Sequence, residues 1–371
     1  MEFSIRKADL VRELSLSQGV VEKKTTIPIL SNVLLEAEHD RLVLTSTDLE
    51  LGIRCACPAE VKRPGAGTLP ARRLLDYVRL LPEAEIHFKF QENQWASLVC
   101  GRSRTRIAGI SRESFPELPA MPPTLAQIPA GVLASLIQRT VFAISLEESR
   151  FTLNGALMQV KPDRIVMVAT DGHRLSLSEK PMELGATAGP FRGLLPKKAM
   201  NELIKLCQDL EPETTIEFSA DENHMFFKAA DRLLISRKLT GSFPDYERVL
   251  PAEHPYSVIL MREEFCSSID RVAQFSDERS HAVRLQFSPG ELRVYASLSD
   301  TGESEENLAV VYEGPKMEAG FNAQYLADFL RVVTEEKVYF GFRDSASAGE
   351  LRPAGEELDY CYRYVVMPMR I

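Results

Sequence analysis

The sequence predicts an α+β fold in which one domain is repeated three times, each copy carrying two helices packed on antiparallel sheets. The first observation is a helix pattern that recurs at a fixed interval: Pro196 lies 126 residues after Pro70, and Asn322 lies 126 residues after Pro196. The second is alternation of apolar and polar positions between the helices, as at Leu42 and Leu44. A domain-sized repeat predicts a triplicated chain, and alternation is typical of antiparallel strands with one buried face.

In the first copy, the pattern runs strand, helix and three strands, and then repeats after a turn at Gly65-Ala66-Gly67. Helical spacing of apolar residues predicts the helices, and period-two alternation predicts the strands. The predicted elements are a strand at 3–5, a helix at 8–16, strands at 33–38, 41–45 and 49–57, a helix at 72–81, and strands at 85–90, 96–100 and 104–110.

The later copies repeat this order, with helix patterns at 128–140, 196–210, 259–272 and 322–332. Short motifs recur with them. Thr47-Asp48-Leu49 returns as Thr170-Asp171-Gly172 and more weakly as Ser299-Asp300, and Ser114-Phe115-Pro116-Glu117 returns as Ser242-Phe243-Pro244-Asp245. Proline clusters at 119–123 and 251–255 separate the copies, so we predict domains at 1–120, 128–250 and 256–371, joined by linkers short enough to make a rigid array.

The composition is that of an ordinary globular protein, with 44% hydrophobic and 26% charged residues in a chain of 371. No apolar run approaches the roughly 18 residues that span a bilayer, and the first residues lack the apolar core of a signal peptide. We therefore expect a cytoplasmic protein without a membrane segment. The six cysteines are scattered, with no second Cys or His pair at ligand spacing, which predicts buried reduced thiols.

The distribution of charge is more informative than the net charge of −9. The six predicted helices together carry +3, which leaves −12 on the remainder of the chain. Two interpretations remain open: each helix simply has a solvated charged face, or the helices share a basic surface that attracts phosphate.

A search for catalytic chemistry returns little. Neither a phosphate-binding glycine loop nor a paired metal-ligand motif is present, so we expect no cofactor and no metal. Asp48, Asp171 and Asp300 occupy equivalent places in different copies, which favours turn formation over a shared metal site. His173 beside Arg174 could be a catalytic base or a ligand, but the local sequence offers no accompanying nucleophile, which favours a structural or binding role.

The chain ends on the apolar segment Tyr364-Val365-Val366-Met367-Pro368-Met369-Arg370-Ile371. Terminal residues are usually polar, so this segment is either a core strand or part of a surface pocket. A core strand suits 364–366, and Pro368 ends it. The methionines beyond suit a flexible apolar surface that accepts varied peptides.

Three motifs carry a resemblance to a known family: Ala169-Thr-Asp-Gly-His-Arg-Leu175, Gly241-Ser-Phe-Pro-Asp-Tyr-Glu-Arg-Val-Leu-Pro251 and Val365-Val-Met-Pro-Met-Arg-Ile371. In this order, and with three copies, the whole chain resembles the bacterial DNA sliding clamps, the beta subunits of DNA polymerase III. The resemblance implies a homodimeric ring of six similar domains. It also implies that helices line a hole occupied by duplex DNA, and that the ring has no catalysis of its own.

The resemblance implies two sets of site residues. The expected partners of the first are the catalytic subunit of the polymerase, the clamp loader and other proteins that carry a short Gln- and Leu-containing peptide. The peptide pocket would comprise Leu153, Thr170, Gly172, His173, Arg174, Leu175, Pro244, Arg248, Val249, Val365, Val366, Met367, Pro368, Met369, Arg370 and Ile371. The DNA-facing residues would be Lys23, Lys24, Arg72, Arg73, Arg79, Lys197, Lys198 and Lys205. The segment 349–361 resembles a variable loop.

A charge argument predicts how two subunits meet. Arg102, Arg104 and Arg106 would share one face of a late strand in copy one, and copy three carries the acidic residues Asp300, Glu303, Glu305 and Glu306. We hypothesise that these charges pair across a closing heterologous contact, with Ile107 and Phe275 adding apolar contact. The alternative is two solvated edges. Rival functions are an enzyme, such as a nuclease or nucleotidyltransferase, and a sequence-specific DNA binder.

Overall fold

The computed structural model describes residues 1–22, 26–184, 190–298, 302–355 and 357–370. They fall into two compact units. The first comprises Met1–Ala134 and Lys198–Lys238, and the second comprises Ser135–Leu184, Pro190–Lys197 and Leu239–Ile371. The border between the units lies inside the second predicted copy, because sheets continue from one copy into the next. The predicted domain limits therefore stay a prediction.

Copy one has the predicted order, with two strands that were not predicted, one at the end of its first half and one at the start of its second half. Its elements are β1 (Glu2–Arg6), α1 (Lys7–Val20), β2 (Asn32–Glu38), β3 (Arg41–Thr47), β4 (Leu51–Pro58), β5 (Glu60–Arg63), β6 (Gly65–Pro70), α2 (Ala71–Leu80), β7 (Glu85–Phe90), β8 (Trp95–Cys100) and β9 (Ser103–Ala108). The turn predicted at Gly65-Ala66-Gly67 is wrong, since these residues begin β6. Gly67 lies against the ring of Phe90, where a Cβ would come within 2.4 Å, so glycine here reflects close packing.

Copies two and three repeat that order without an equivalent of β5 among the described residues. Copy two has β10 (Ala126–Pro129), α3 (Ala130–Gln138), β11 (Gly155–Lys161), β12 (Arg164–Thr170), β13 (Arg174–Pro181), β14 (Phe191–Pro196), α4 (Lys197–Gln208), β15 (Thr215–Ala220), β16 (His224–Ala229) and β17 (Arg232–Arg237). Copy three has β18 (Tyr256–Met261), α5 (Arg262–Ala273), β19 (Ala282–Ser288), β20 (Glu291–Leu298), β21 (Gly302–Ala309), β22 (Met317–Asn322), α6 (Ala323–Val332), β23 (Lys337–Phe342), β24 (Gly349–Ala354) and β25 (Cys361–Val366).

The loop predicted at 349–361 is wrong over its first half. Residues Gly349–Ala354 form β24, which pairs with both β23 and β25. The charged residues Glu350 and Arg352 made this segment look like a loop. The burial of Glu350 depends on an ion pair that sequence spacing does not reveal.

Within a copy, the two halves exchange their first strands. In copy one, β1 pairs with β7 of the second half, and β6 pairs with β2 of the first half. In copy three, β18 pairs with β23 and β22 pairs with β19. Each half thus completes the sheet of the other, which explains why the strand–helix–three-strand pattern occurs in pairs.

Two strand pairings join successive copies. In the first unit, β17 of copy two pairs with β4 of copy one, which closes an eight-stranded sheet in the order β10-β15-β16-β17-β4-β3-β2-β6. In the second unit, β13 of copy two pairs with β25 of copy three in an eight-stranded sheet ordered β14-β11-β12-β13-β25-β24-β23-β18. We call these pairings the first seam and the second seam.

Each unit also holds a smaller open sheet. In the first unit, five strands run β5-β1-β7-β8-β9, and in the second, four strands run β21-β20-β19-β22. β9 and β21 are therefore edge strands.

The helices bury one face against the sheets, as the apolar spacing predicts. On α2, Leu74, Leu75 and Val78 are buried in the core of the first unit, whereas the arginines point outward. On α5 and α6, Phe265, Ile269 and Phe329 are fully buried in the second unit. Each such side chain contributes about 1.5–3 kcal/mol on burial, so these faces fix the helices on the sheets. No helix within the described ranges is long and apolar enough to cross a membrane.

All six cysteines are free thiols. Cys55, Cys57, Cys100 and Cys207 are buried, and burial raises the pKa of Cys57 to about 12. The prediction of burial is wrong for Cys361, which is exposed, and for Cys266, which is half-buried. The described part of the chain contains no cluster of side chains that could hold a metal ion.

Candidate functional site

The Thr-Asp-Gly-His-Arg motif is a tight turn between β12 and β13, held by its own side chains. The Thr170 hydroxyl accepts from the Gly172 amide at 3.1 Å and donates to the Arg174 carbonyl at 2.6 Å. The Asp171 carboxylate accepts from the amides of His173 and Arg174 at 2.9 and 3.0 Å. Gly172 has φ +90°, a conformation that side chains with a Cβ rarely adopt. The motif therefore builds a fixed backbone shape.

Arg174 locks that turn onto copy three. Its side chain is 9% exposed, and its guanidinium donates to Asp171 at 3.0 Å, to Asp328 at 2.6 Å and to the Phe142 carbonyl at 2.6 Å. The same group lies 4.2 Å from the ring centre of Tyr325. Burial alone would lower the pKa of Arg174, but interactions with Tyr364, Asp328 and Asp171 raise it on balance. Arg174 is thus a permanent cation held inside the site.

An apolar cavity of about 140 Å³ opens beside this turn. Its lining comes from the turn, from the Ser-Phe-Pro-Asp segment and from the end of β25: Leu153, Thr170, Gly172, His173, Arg174, Leu175, Pro244, Tyr246, Val249, Val365 and Met367. Leu175 and Val365 are almost fully buried at its base, and the amide of Met367 donates to the His173 carbonyl at 2.9 Å. We call it the apolar cavity.

The structure thus brings most of the expected pocket residues together and adds one. Tyr246 lines the apolar cavity but was not predicted, although it belongs to the quoted motif at 241–251. Its hydroxyl donates to the Gln159 side chain at 3.3 Å, a partner 87 residues away. Only that distant contact shows that the ring turns inward, so spacing alone could not reveal it.

Other expected pocket residues lie outside the cavity lining. The Arg248 side chain is 85% exposed and pairs with Asp245 at 2.7 Å. Val366 is buried in the core of copy three on the opposite face of β25 from Val365, as strand alternation requires. Pro368, Met369 and Arg370 do not line the cavity, and the Met369 amide instead donates to the Gly320 carbonyl at 2.8 Å. Ile371 lies outside the described residues.

The expected DNA-facing residues separate into exposed and engaged side chains. Arg72 and Arg73 are exposed on α2, with Arg72 only 3.8 Å from Asp76, and exposed Arg79 donates to the Ser15 hydroxyl at 3.2 Å. These remain available to phosphate. Lys23 and Lys24 lie outside the described residues.

The lysines of α4 are engaged by carboxylates or partly buried. Lys198 forms an ion pair with the buried carboxylate of Asp48 and donates to the Val20 carbonyl at 2.9 Å. Lys205 pairs with Glu202 at 2.7 Å. Burial, followed by the charge of Arg174, lowers the pKa of Lys197. The sequence showed that these residues are cations, but it could not show which carboxylates they bind.

The proposed subunit contact is only partly compatible with the structure. Arg104 and Arg106 are exposed on β9, but Ile107 is 6% exposed and packs in the core, because it points to the opposite face. The expectation that Ile107 supplies surface contact is therefore wrong. Arg102 precedes β9 in an exposed turn.

On β21, the acidic residues do not form one surface. Glu303 and Glu305 share one face of the strand, and Glu306 lies on the other. Glu306 turns toward α5 and pairs with Arg271 at 2.7 Å. Glu305 already pairs with Arg293. Phe275 is half-buried against the core of copy three, and Asp300 lies outside the described residues.

With this geometry established, comparisons with known proteins identify the family. The chain matches the DNA polymerase III beta subunit family over its N-terminal domain at residues 1–119, its central domain at 127–245 and its C-terminal domain at 247–370. It is 35% identical to the beta sliding clamp of Chlamydia pneumoniae, over 100% of this chain and 99% of that protein.

Solved structures agree. The chain superposes on the DNA polymerase sliding clamp of Pseudomonas aeruginosa with a TM-score of 0.92 at 34% identity, and on a griselimycin-bound clamp from the same organism with a TM-score of 0.94 at 34% identity. Both matches cover 100% of each chain. The chain therefore belongs to the DNA polymerase III beta subunit family, whose members are accessory sliding clamps that confer processivity on DNA polymerase rather than enzymes.

Proposed function

We propose that two copies of this chain close into a ring around duplex DNA and hold partner proteins through the apolar cavity. The partners would be the catalytic subunit of DNA polymerase III, the clamp loader and other proteins with a clamp-binding peptide. A tether of this kind raises the effective concentration of the polymerase at the primer end without reading sequence. The chromosomal DNA of bacteria lies in the cytoplasm, where we place the protein.

The apolar cavity is the observation that carries the proposal. It has a rigid apolar base in Leu175 and Val365, and the turn at Gly172 and His173 presents backbone groups at its rim. A small preformed cavity with few polar groups suits one or two aliphatic side chains of a short peptide. The griselimycin-bound relative supports the idea that a clamp of this kind takes a compact ligand.

Peptide binding tests this part directly. A labelled hexapeptide containing one Gln and two Leu should bind the full chain saturably, and griselimycin should compete with it. Leu175→Asp should abolish binding, because it places a charge in the apolar base. Leu285→Ala, in the core of copy three, serves as the control for general loss of packing. A wild-type chain that binds neither ligand would contradict the proposal.

Ring closure would join the edge strand β9 of one subunit to the edge strand β21 of the other. Exposed strand edges carry unpaired backbone groups that pair readily with another chain, and a head-to-tail contact closes if the rotation permits. Arg104 and Glu303 are the exposed charges best placed to select this pairing. Glu305 could exchange its exposed partner at little cost, since surface pairs are worth about 0–1 kcal/mol.

Arg102→Glu combined with Arg104→Glu should yield monomers in sedimentation velocity, because like charges would then face each other across the contact. Arg41→Glu, exposed on the internal strand β3, is the matched control and should leave dimers intact. Dimers that persist in the double variant at low concentration would rule out this pairing.

Inside the ring, the exposed arginines of α2 would meet phosphate through few and weak contacts, which allows sliding. Residence on DNA would then depend on topology. Clamps loaded on nicked circular DNA should remain bound and then dissociate when the circle is linearised. Retention after linearisation would contradict encirclement.

A further inference from the structure

One segment forms a wall of the apolar cavity. The chain then continues along the same face of the sheet to a group of polar contacts. Pro244, Tyr246 and Val249 line the cavity, and the chain then runs through Pro251 to His254. Beneath it, Glu350 of β24 pairs in register with Val365 of β25. Paired residues on adjacent strands point to one face, so Glu350 stands beside a residue that forms the base of the cavity.

Glu350 is a fully buried carboxylate with an unusual set of partners. Arg363 donates to its two oxygens from Nε and Nη2, each at 2.7 Å, and His254 Nε2 lies 3.3 Å from Oε2. Nη2 of Arg363 also donates to the Pro251 carbonyl at 2.9 Å. Through the Pro251 carbonyl, the start of the stretch from Pro251 to His254 is hydrogen-bonded to the charge cluster, and the His254 ring lies beside it.

Within this stretch, Ala252 and Glu253 are exposed, and His254 packs against the ring of Tyr339 with the centroids 5.9 Å apart. A second cavity of about 650 Å³ opens there, lined in part by Leu250, Pro251 and His254 together with Glu350 and Arg363. A segment bordered by so large a cavity has room to move away from the sheet unless polar contacts hold it. The charge cluster supplies those contacts.

The protonation state of His254 is set by its burial and by the charges around it. Burial lowers the pKa of His254, Glu350 opposes that shift, and Arg352, Arg363 and Arg343 add to it. The imidazole is therefore neutral near pH 7, and Arg363 carries the positive charge that balances Glu350.

Stability alone is a poor reason for this pair, in which Glu350 is fully buried and the Arg363 side chain is 28% exposed. Replacing both members of a buried ion pair by apolar residues of similar volume is often neutral or stabilising, whereas removing one member is strongly destabilising. A positional role explains the pair better, because an apolar substitute cannot bind the Pro251 carbonyl.

We propose that Glu350 and Arg363 are positioning residues of the partner site, which hold the wall from Pro244 to Val249 at the distance from Leu175 and Val365 that a partner peptide requires. The inference rests on the proposed peptide-binding function. Neither side chain lines the apolar cavity, so any effect on binding passes through the wall.

The test replaces both members together. The double variant Glu350→Leu and Arg363→Met should fold with a thermal midpoint equal to or above that of the wild type, because no buried charge is left unpaired. Its affinity for the labelled hexapeptide should nevertheless fall about ten-fold, a typical size for coupling between residues that do not touch the ligand. Glu318→Gln breaks an Arg–Glu pair on β22 that lies away from the wall and should bind as the wild type does.

A spectroscopic signal separates positioning from general stability. Fluorotyrosine incorporated at Tyr246 should give a shifted or broadened ¹⁹F resonance in the double variant. The single variant Arg363→Lys keeps the positive charge and one donor group. It should therefore keep most of the wild-type affinity for the hexapeptide and the wild-type resonance.

Binding within two-fold of the wild type in the folded double variant would overturn the inference, as would an equal loss in Glu318→Gln. Failure of the wild type itself to bind the hexapeptide would instead overturn the proposed function, so the two failures are distinguishable.

Discussion

The turns at Thr47–Leu51 and Thr170–Arg174 are built alike but border different structures. In each, the threonine hydroxyl accepts from the amide two residues on and donates to the carbonyl four residues on. The aspartate carboxylate accepts from the amides two and three residues on. The third residue has positive φ in both, at 77° for Leu49 and 90° for Gly172.

Their surroundings decide what each turn does. At the first seam, Asp48 binds Lys198 of α4, whose side chain is 41% exposed. At the second seam, Asp171 binds Arg174, whose side chain is 9% exposed and also reaches Asp328 of α6. The same backbone unit therefore ties copy one to copy two with an exposed cation, and ties copy two to copy three with a buried cation beside the apolar cavity.

Removing each aspartate should give the largest difference between the two turns. Asp171→Ala and Asp48→Ala lose the same turn hydrogen bonds, so the difference between them reports the cation. We expect Asp171→Ala to lower the free energy of unfolding by about 3 kcal/mol or more, since it leaves part of a buried charge uncompensated. Asp48→Ala should cost about 1–2 kcal/mol, because Lys198 can be rehydrated. Urea unfolding measures both, and equal losses would refute the distinction.

Exchanging the third residues should give opposite signs. Gly172→Ala strains the turn and places a Cβ within 2.9 Å of the Arg150 guanidinium, so it should cost about 1–2 kcal/mol and weaken peptide binding. Leu49→Gly relieves a strained backbone at a side chain that is 52% exposed, and should stabilise by up to about 1 kcal/mol. Thermal unfolding of the two variants measures both effects. Destabilisation by Leu49→Gly would contradict the equivalence of the turns.

Lys198 tests whether the first seam is structural. Lys198→Met should lower the free energy of unfolding by about 1 kcal/mol and leave retention on circular DNA unchanged, because the ammonium already binds Asp48. Arg73 is exposed on α2. Arg73→Met should therefore weaken DNA association in gel-shift titrations and leave the free energy of unfolding unchanged. If Lys198→Met weakened DNA association as much as Arg73→Met does, Lys198 would be a phosphate contact after all.

The smallest expected effect concerns the pH dependence of stability at His254, which lies beside Glu350 in the sheet that contains the second seam. The pKa of His254 is lowered by folding, so below its ordinary value of 6.5 the unfolded chain binds more protons than the folded one. Stability should therefore fall as the pH drops from 7 to about 5.5, by about 1 kcal/mol or less from this residue. His254→Gln should flatten that part of the profile, and an unchanged slope would exclude the contribution.

Periodicity predicted the repeated strand–helix–three-strand order and the buried faces of the helices, because those depend on residues close in sequence. It failed where a remote partner decides the structure. Gly65-Ala66-Gly67 is a strand because Phe90 packs on it, and Glu350 belongs to a strand because Arg363 neutralises it. The partner of Lys198 is 150 residues away at Asp48, and the partner of Tyr246 is 87 residues away at Gln159. The two seams likewise pair strands from different copies.

For the site, the family resemblance identified the turn and the Ser-Phe-Pro-Asp wall as parts of one cavity. It did not distinguish alternating neighbours, and so it grouped Val366 with Val365. The charge argument made the same error when it placed Ile107 at the surface contact with Arg104. Strand alternation separates these pairs once the edges and faces of the sheets are known.

The long reach of the strand pairings also sets the order in which the chain can become structured during synthesis. Phe3 of β1 pairs with Phe88, so the first strand of the protein waits for the second half of copy one. Cys55 pairs with Arg232 at the first seam, and Arg174 pairs with Val366 at the second. Until those partners leave the ribosome, β4 and β13 each present an uncovered edge that can bind other chains. The second seam, and with it the apolar cavity, can close only after β25 has left the ribosome.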